Sequence, residues 1–259
     1  MSTLRILRGC GGILIFLMLW EISVRSGVLS YDYLPAPSAI ASSFRILMSE
    51  RDVVEEVGHT VGAALLGWAI AVAIGIPAGA SLGFSKTVRD YSLGSVELLR
   101  PIPAVALVPV GMLLFGFSIQ TELLVIIIPS IWPILVNTMS GVLAVPARLH
   151  DVAETLRLSR LEATTKMYIP AAAPLVLVGC RLSMTTALVL AIVSEMIGNP
   201  AGLGNAVVRE AQALQPDLMF AYVMIASVLG ITLNAALLAF GRFLLPGEFK
   251  RPVAVPGSP

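Results

Sequence analysis

The sequence predicts an all-α membrane protein with six transmembrane helices and an amphipathic helix between the fourth and the fifth. Of the 259 residues, 57% are hydrophobic and only 13% are charged, whereas soluble domains have about 25% charged residues. The apolar residues form continuous runs, and roughly 20 helical residues suffice to cross a hydrocarbon core of about 30 Å. Continuous runs also exclude a transmembrane β-barrel, whose strands alternate apolar and polar residues.

Six segments are predicted to cross the membrane. The first follows two arginines but lacks the cleavage site of a signal peptide, which indicates an uncleaved helix. The others are runs of about 20 or more mostly uncharged residues, although the fifth contains Arg181 and Glu195. The predicted spans are 7–27, 61–84, 101–120, 123–144, 171–197 and 218–241.

Other segments have recognisable local patterns. Residues 35–59 are predicted to form a turn and then an amphipathic helix along the membrane interface, and residues 198–218 a glycine-rich turn and a short helix. In the second span, Gly75 and Gly79 are expected to mark close packing between helices rather than a ligand site.

Positively charged residues predict the orientation, because Lys and Arg concentrate in cytoplasmic loops. With the N-terminus inside, the cytoplasmic side receives Arg5, Arg8, Lys86, Arg89, Arg148, Arg157, Arg160, Lys166, Arg242, Lys250 and Arg251, and the outer side only Arg25, Arg45, Arg51 and Arg209. Both termini are therefore expected in the cytoplasm.

Several classes of site are excluded by composition and spacing. The net charge of +1 is not gathered into a basic stripe, so nucleic-acid binding is not expected. Cys10 and Cys180 lie in apolar segments, and His59 and His150 stand apart in the sequence. No disulfide framework or metal site is therefore predicted.

The stretch between the fourth and fifth spans is predicted to form a helix over residues 149–163. One face presents Val152, Thr155, Leu156 and Ser159, and the other presents Asp151, Glu154, Arg157 and Arg160. This pattern fits a helix that docks on a partner protein and equally a surface helix that only links two spans.

Residues 151–160 (DVAETLRLSR), followed by Ile169, Pro170 and Pro174, resemble the EAA loop of binding-protein-dependent ABC importer permeases. That loop has the pattern E-A-A-x-x-x-G, with I-x-L-P about a dozen residues later. Further segments, in order, are similar to the sulfonate, taurine and nitrate branch of that family: LPAP at 34–37, LGW at 66–68, GIPAG at 75–79, RPIPA at 100–104, FGF at 115–117, NTMSG at 137–141, and SEMIG at 194–198 with GLG at 202–204.

The resemblance implies a type I ABC importer permease fold and a homodimer on two ATPase subunits, supplied by a binding protein outside the inner membrane. It implies inward movement of a small solute such as a sulfonate or nitrate by alternating access. The implied docking residues are Asp151, Ala153, Glu154, Thr155, Leu156, Arg157, Leu158, Ser159 and Arg160.

No catalytic residue or cofactor is expected in this chain. None of its three lysines follows a glycine, so a phosphate-binding P-loop is absent from the sequence. ATP and Mg²⁺ are therefore expected on the partner subunit.

Two positions depart from the family pattern. Asp151 replaces the usual glutamate and keeps its charge, whereas Arg157 replaces the usual glycine. Because that glycine allows a sharp turn, Arg157 is expected either to extend the helix or to form a salt bridge with the partner.

Candidates for the substrate pathway are polar residues within the spans: Asn137, Thr186, Ser194 and Glu195. An ionisable group inside a membrane bundle is a functional candidate, yet Glu195 also fits a structural ion pair, and the other three fit hydrogen bonds between helices. For Arg181 a structural role is favoured.

Two other functions compete with this interpretation. A secondary transporter or channel works without ATP, but such proteins show internal repeats, and none is found. A membrane enzyme would need a motif such as H-E-x-x-H or G-x-S-x-G, which the sequence lacks.

Overall fold

The computed structural model describes residues 3–28, 31, 33–49 and 51–244, and all regular elements in these ranges are helical. This confirms the predicted fold class. The α-helices are α1 (Thr3–Arg25), α2 (Pro37–Leu47), α3 (Arg51–Phe84), α4 (Lys86–Leu99), α5 (Leu107–Phe115), α6 (Ile119–Leu143), α7 (Ala147–Thr155), α8 (Arg160–Ala163), α9 (Ile169–Gly198), α10 (Leu203–Gln212) and α11 (Pro216–Leu244). A 3₁₀ turn (Ala104–Ala106) precedes α5, and a π-helical turn (Thr164–Tyr168) joins α8 to α9.

Four helical stretches in the described ranges are long and apolar enough to cross a membrane. They are Arg51–Phe84, Ile119–Leu143, Arg160–Gly198 and Pro216–Phe243, and they correspond to the second, fourth, fifth and sixth predicted spans. The first predicted span, 7–27, falls largely within α1. The count of six spans stays a prediction.

The third predicted span, 101–120, differs from the structure. α4 ends at Leu99, and Pro101 and Pro103 separate it from the stretch Ala104–Phe115, whose axis is bent by 75° from that of α4. Proline lacks an N–H and disfavours helix in the residue before it. The stretch after the bend is about 18 Å long at 1.5 Å per residue, which is shorter than the hydrocarbon core. This part of the chain is long enough for a further crossing only when α4 and the stretch after the bend are taken together.

α3, α6 and α9 form the centre of the molecule and pack against one another more extensively than any other helices. Their shared core consists mostly of small and branched side chains: Ala63, Ala64, Val125, Ile126, Ala187, Leu188, Leu190 and Ala191, joined by Val108 of α5. The indole Nε1 of Trp68 donates a hydrogen bond of 2.9 Å to the carbonyl oxygen of Cys180 and so links α3 to α9.

Gly75 and Gly79 lie where α3 approaches α6 most closely. A Cβ atom at Gly75 would lie 2.9 Å from Cβ of Ile134, and one at Gly79 would overlap the backbone oxygen of Leu135. The prediction that these glycines mark helix packing is therefore confirmed.

A second core joins α2, α10 and α11 at the end of the bundle where α6 begins. Its buried side chains are Leu47, Val53, Leu203, Ala206, Ala221, Tyr222 and Ile225. Residues 35–59 and 198–218, predicted to be more than loops, contribute to this core through α2, the start of α3 and α10.

Arg209 stabilises this second core on its exposed side. Its guanidinium lies 2.9 Å from Glu56 and 3.0 Å from Glu210, and also donates to the hydroxyl of Tyr222. Burial lowers the pKa of Arg209, but the hydrogen bonds that its guanidinium donates to Glu210 and Glu56 outweigh this effect and hold the pKa above its ordinary value. The residue is thus a permanent cation.

Candidate functional site

The segment from α7 to α8 (residues 147–163, the α7–α8 segment) connects the end of α6 to the start of α9. α7 ends in a Schellman motif, in which the N–H of Leu158 bonds the oxygen of Ala153 at 3.0 Å and the N–H of Arg157 bonds that of Glu154 at 2.9 Å. Arg157 itself has φ +49°, the left-handed conformation that glycine adopts most easily. The geometry therefore explains why the family pattern has glycine here.

The predicted continuous helix over residues 149–163 is consequently divided at Arg157. Arg157 does not extend the helix, because a residue in the left-handed region ends it. α8 begins with a capping box: the hydroxyl of Ser159 accepts from the N–H of Glu162, whose carboxylate accepts from the N–H of Ser159 at 3.1 Å. The Schellman motif and the capping box thus each pair two backbone groups beside the break.

The α7–α8 segment presents most of its side chains to the surroundings. Ala153 is 5% exposed and packs towards the bundle, Leu158 is half-buried, and the other predicted docking residues are exposed. Val152, Leu156 and Leu161 are exposed apolar side chains among charged ones. A short helix pair with an exposed apolar and charged surface suits contact with another protein.

At the opposite end of the bundle lies a buried polar cluster, formed by His59, Thr60, Glu122, Glu195 and Asn199. The two carboxylates are each 1% exposed. His59 Nε2 lies 3.1 Å and 3.2 Å from the two oxygens of Glu122, and the Asn199 amide also donates to Glu122. The cluster joins α3, α6 and the end of α9.

Glu195 is held by the turn that follows α9. Its Oε2 accepts from the Thr60 hydroxyl at 3.0 Å and from the backbone N–H of Gly204 at 2.9 Å. The Thr60 hydroxyl in turn accepts from the N–H of Leu203 at 3.0 Å. Gly202, with φ +91°, has no room for a Cβ because the Glu195 carboxylate occupies that space. The GLG motif thus allows the turn to close over Glu195.

The sequence did not identify this cluster as a whole. Glu195 was predicted as a candidate, but His59 was expected to stand alone and Glu122 was not singled out. His59 and Glu122 are 63 residues apart, and Thr60 and Glu195 are 135 residues apart. No local spacing brings such residues together; only the packing of α3, α6 and α9 does.

The other predicted pathway residues occupy different environments. Asn137 donates to the oxygen of Pro133 at 2.8 Å and packs against Gly179 of α9. Ser194 is fully buried, with no hydrogen-bond partner for its hydroxyl among the described residues. Thr186 lines a groove of about 560 Å³ with Pro129 of α6, neighbouring residues of α9, and Ala104. The four residues are therefore spread along the bundle rather than gathered into one site.

Arg181 has a structural partner. Its Nε donates to the side-chain oxygen of Asn234 at 2.7 Å, which links α9 to α11. This contact agrees with the structural role favoured for it.

A family model described as the binding-protein-dependent transport system inner membrane component matches residues 71–248. A putative aliphatic sulfonates transport permease protein of Bacillus subtilis is 30% identical over 216 residues, which cover 83% of this chain and 78% of the relative. The nitrate import permease protein of Synechococcus elongatus is 26% identical, with 90% of this chain and 87% of the relative covered. The taurine transport system permease protein of Escherichia coli is 24% identical, with 91% and 88% covered.

Among solved structures, the MetNI methionine ABC transporter in an inward-facing conformation is similar, with a TM-score of 0.59 at 15% identity. The match covers 72% of this chain and 96% of that chain. The shared fold is the type I importer permease fold that the sequence predicted.

Proposed function

The chain belongs to the family of binding-protein-dependent transport system inner membrane components, and from that premise we propose that it is the transmembrane subunit of an ATP-driven importer of small oxyanions. It is a multi-pass inner-membrane protein and a permease subunit. The proposal adds the source of energy, the direction, the partners and the substrate class.

The α7–α8 segment carries this proposal. Its two short helices are fixed by a Schellman motif and a capping box, so the exposed side chains have defined positions. Leu156 is 62% exposed and Leu161 is 73% exposed, so both are available to an apolar contact on a partner. We propose that a separate ATPase subunit covers them, binds ATP and Mg²⁺, and moves this segment as it closes.

The orientation follows from this docking. With the α7–α8 segment in the cytoplasm, the buried polar cluster lies at the outer end and both termini lie inside. Only 6% of the most apolar part of α11 is buried within the chain, which leaves a large apolar surface for lipid and for a second copy of the permease. We propose that a second copy of the permease covers part of this surface. The resulting homodimer docks on two ATPase subunits and receives substrate from a binding protein outside.

The substrate class comes from the relatives, which are named for sulfonates, nitrate and taurine. We propose a small sulfonate, nitrate or related oxyanion. The pathway follows the groove beside Thr186, with Asn137 and Ser194 as further polar contacts on the central helices and Glu195 at the outer end. Alternating access exposes this path first to one side of the membrane and then to the other.

Uptake by proteoliposomes tests the proposal. The chain is reconstituted with an ATPase subunit and a binding protein of the same transport system, and labelled taurine, an alkanesulfonate and nitrate are offered on the binding-protein side. We expect uptake of at least one anion with ATP, and none with a non-hydrolysable analogue or without the ATPase subunit. Equal uptake by the chain alone, without ATP, would instead establish a secondary transporter or channel.

A further inference from the structure

The buried polar cluster holds two carboxyl groups that have no lysine or arginine beside them among the described residues. Glu122 and Glu195 are each 1% exposed, and among the described residues neither forms an ion pair with a lysine or arginine. Buried charges in proteins are paired or bind metal ions. His59 is the single basic group in the cluster, and Arg209 nearby is already paired with Glu56 and Glu210.

One carboxylate oxygen in the cluster lacks a hydrogen-bond partner among the described residues. Glu195 uses Oε2 for its bonds with Thr60 and Gly204, whereas its buried Oε1 has no hydrogen-bond partner in the part of the chain that the structure describes. A buried acceptor left unpaired costs free energy, so it marks a position that a bound group would occupy. A cavity of about 390 Å³, lined by Glu195, Asn199 and Asn205 among others, reaches this side chain.

The donor atoms have the separations of a small metal site. One ligand atom each from His59, Glu122 and Glu195 lie within 4.8 Å of one another, and His59 Nε2 lies 3.1 Å from Glu122 Oε1. Ligand atoms about 2.1 Å from a tetrahedral Zn²⁺ lie roughly 3.4 Å apart. Small side-chain shifts therefore suffice to surround an ion.

We propose that His59, Glu122 and Glu195 form a binding site for a divalent cation of the Zn²⁺ type at the outer end of the bundle. One imidazole and two carboxylates are a ligand set that Zn²⁺ accepts, with a fourth position for water. The ion neutralises the buried carboxylates and uses the free Glu195 Oε1. The His59 side chain, 28% exposed, gives access from the surroundings.

The site would connect α3, α6 and α9, the three central helices, at the end remote from the α7–α8 segment. Its consequence is therefore measurable without transport: the ion stabilises the folded chain because it binds the native arrangement and not the unfolded one. This separates the inference from the proposed import function, since either can fail alone.

The test is Zn²⁺ binding by the full-length chain in lipid nanodiscs, purified without a polyhistidine tag and titrated against a chromophoric chelator. We expect one Zn²⁺ per chain and a rise of several degrees in the thermal unfolding midpoint. His59→Gln and Glu122→Gln should each weaken Zn²⁺ binding by at least about tenfold. Loss of a residue that merely hydrogen-bonds to a metal ligand already lowers metal affinity by about tenfold or more. Glu195→Gln, which can still accept from Thr60 and Gly204, should do the same.

His150→Gln is the matched control. His150 is the second of the two histidines and belongs to α7, at the opposite end of the bundle, so its replacement should leave Zn²⁺ affinity unchanged. Absence of saturable binding by the unmodified chain would overturn the proposal, whatever the variants do. So would binding that survives in both His59→Gln and Glu122→Gln, or that is lost in His150→Gln.

X-ray absorption at the zinc edge of the unmodified chain gives a second, variant-independent result. The site predicts a first shell of nitrogen and oxygen atoms. Sulfur in that shell would place the ion on a cysteine and contradict the assignment.

Discussion

At Arg157 the backbone adopts φ +49°, a conformation that costs a non-glycine residue about 1–2 kcal/mol. The side chain is exposed, while the backbone N–H completes the Schellman motif at the end of α7. The turn is therefore formed in spite of the arginine, and it is held by the backbone bonds of its neighbours.

Substitutions at position 157 should separate the turn from the side chain. Arg157→Gly should raise the free energy of unfolding by about 1 kcal/mol, and because it keeps the turn, any loss of ATPase stimulation in the reconstituted complex measures the contact of the arginine side chain with the partner. Arg157→Pro removes the N–H and fixes φ near −65°, so it should abolish stimulation while the chain still inserts in the membrane. Normal stimulation in the proline variant would show that the turn is not needed for coupling.

Thr60 is the residue on which the outer turn depends, because its hydroxyl contacts both Glu195 and the N–H of Leu203. Thr60→Val keeps the shape but leaves a buried N–H and a carboxylate oxygen each without this partner. Such a loss costs about 1–3 kcal/mol, measured as the decrease in unfolding free energy. Thr232→Val is the control, since the exposed Thr232 hydroxyl bonds, among the described residues, only within its own helix; an equal loss in both variants would contradict the role of Thr60.

At the scale of helices, the close contact between α3 and α6 is the feature most open to a direct test. Gly79→Ala would place a Cβ against the backbone of Leu135, and backbone cannot rotate away as a side chain can. We expect a destabilisation of about 1–3 kcal/mol. Gly62→Ala, in the same helix but with open space around its Cβ position, should be neutral or stabilising by up to about 1 kcal/mol. Equal unfolding free energies in the two variants would contradict this packing.

The long apolar helices were predictable because membrane spanning demands unbroken runs of apolar residues. The close packing at Gly75 and Gly79 was predictable from their spacing. The break after α4 was not, since Pro101 and Pro103 lie inside an uncharged run that satisfies the length rule. The division of the α7–α8 segment was missed for a related reason: strong helix formers surround Arg157, and only the backbone geometry shows that it ends the helix.

At the scale of the molecule, two sites lie at opposite ends of one bundle of three helices. α6 begins beside the buried polar cluster and ends at the α7–α8 segment, and α9 runs back from that segment to the cluster. Two continuous helices therefore connect the proposed docking surface with the buried polar cluster. The proposed alternating access requires such a connection between the two ends.

Replacement of an exposed leucine by glutamate should affect ATPase activity at one end of the bundle and not at the other. Leu156→Glu places a carboxylate on the proposed docking surface and should lower substrate-stimulated ATPase activity at least about tenfold, as expected for a charge in a packed interface. Leu214→Glu, at the other end and 65% exposed, should keep that activity. Equal loss in both variants would point to a general defect in folding rather than to docking.

The most direct measurement is site-specific cross-linking within the assembled transporter in its native membrane. A photoreactive amino acid is incorporated at Leu156 or, as the comparison, at Leu214, and the cross-linked partners are identified. Docking through the α7–α8 segment predicts a product between position 156 and the ATPase subunit, and none between position 214 and that subunit. A cross-link from position 214 to the ATPase, with none from position 156, would contradict the account.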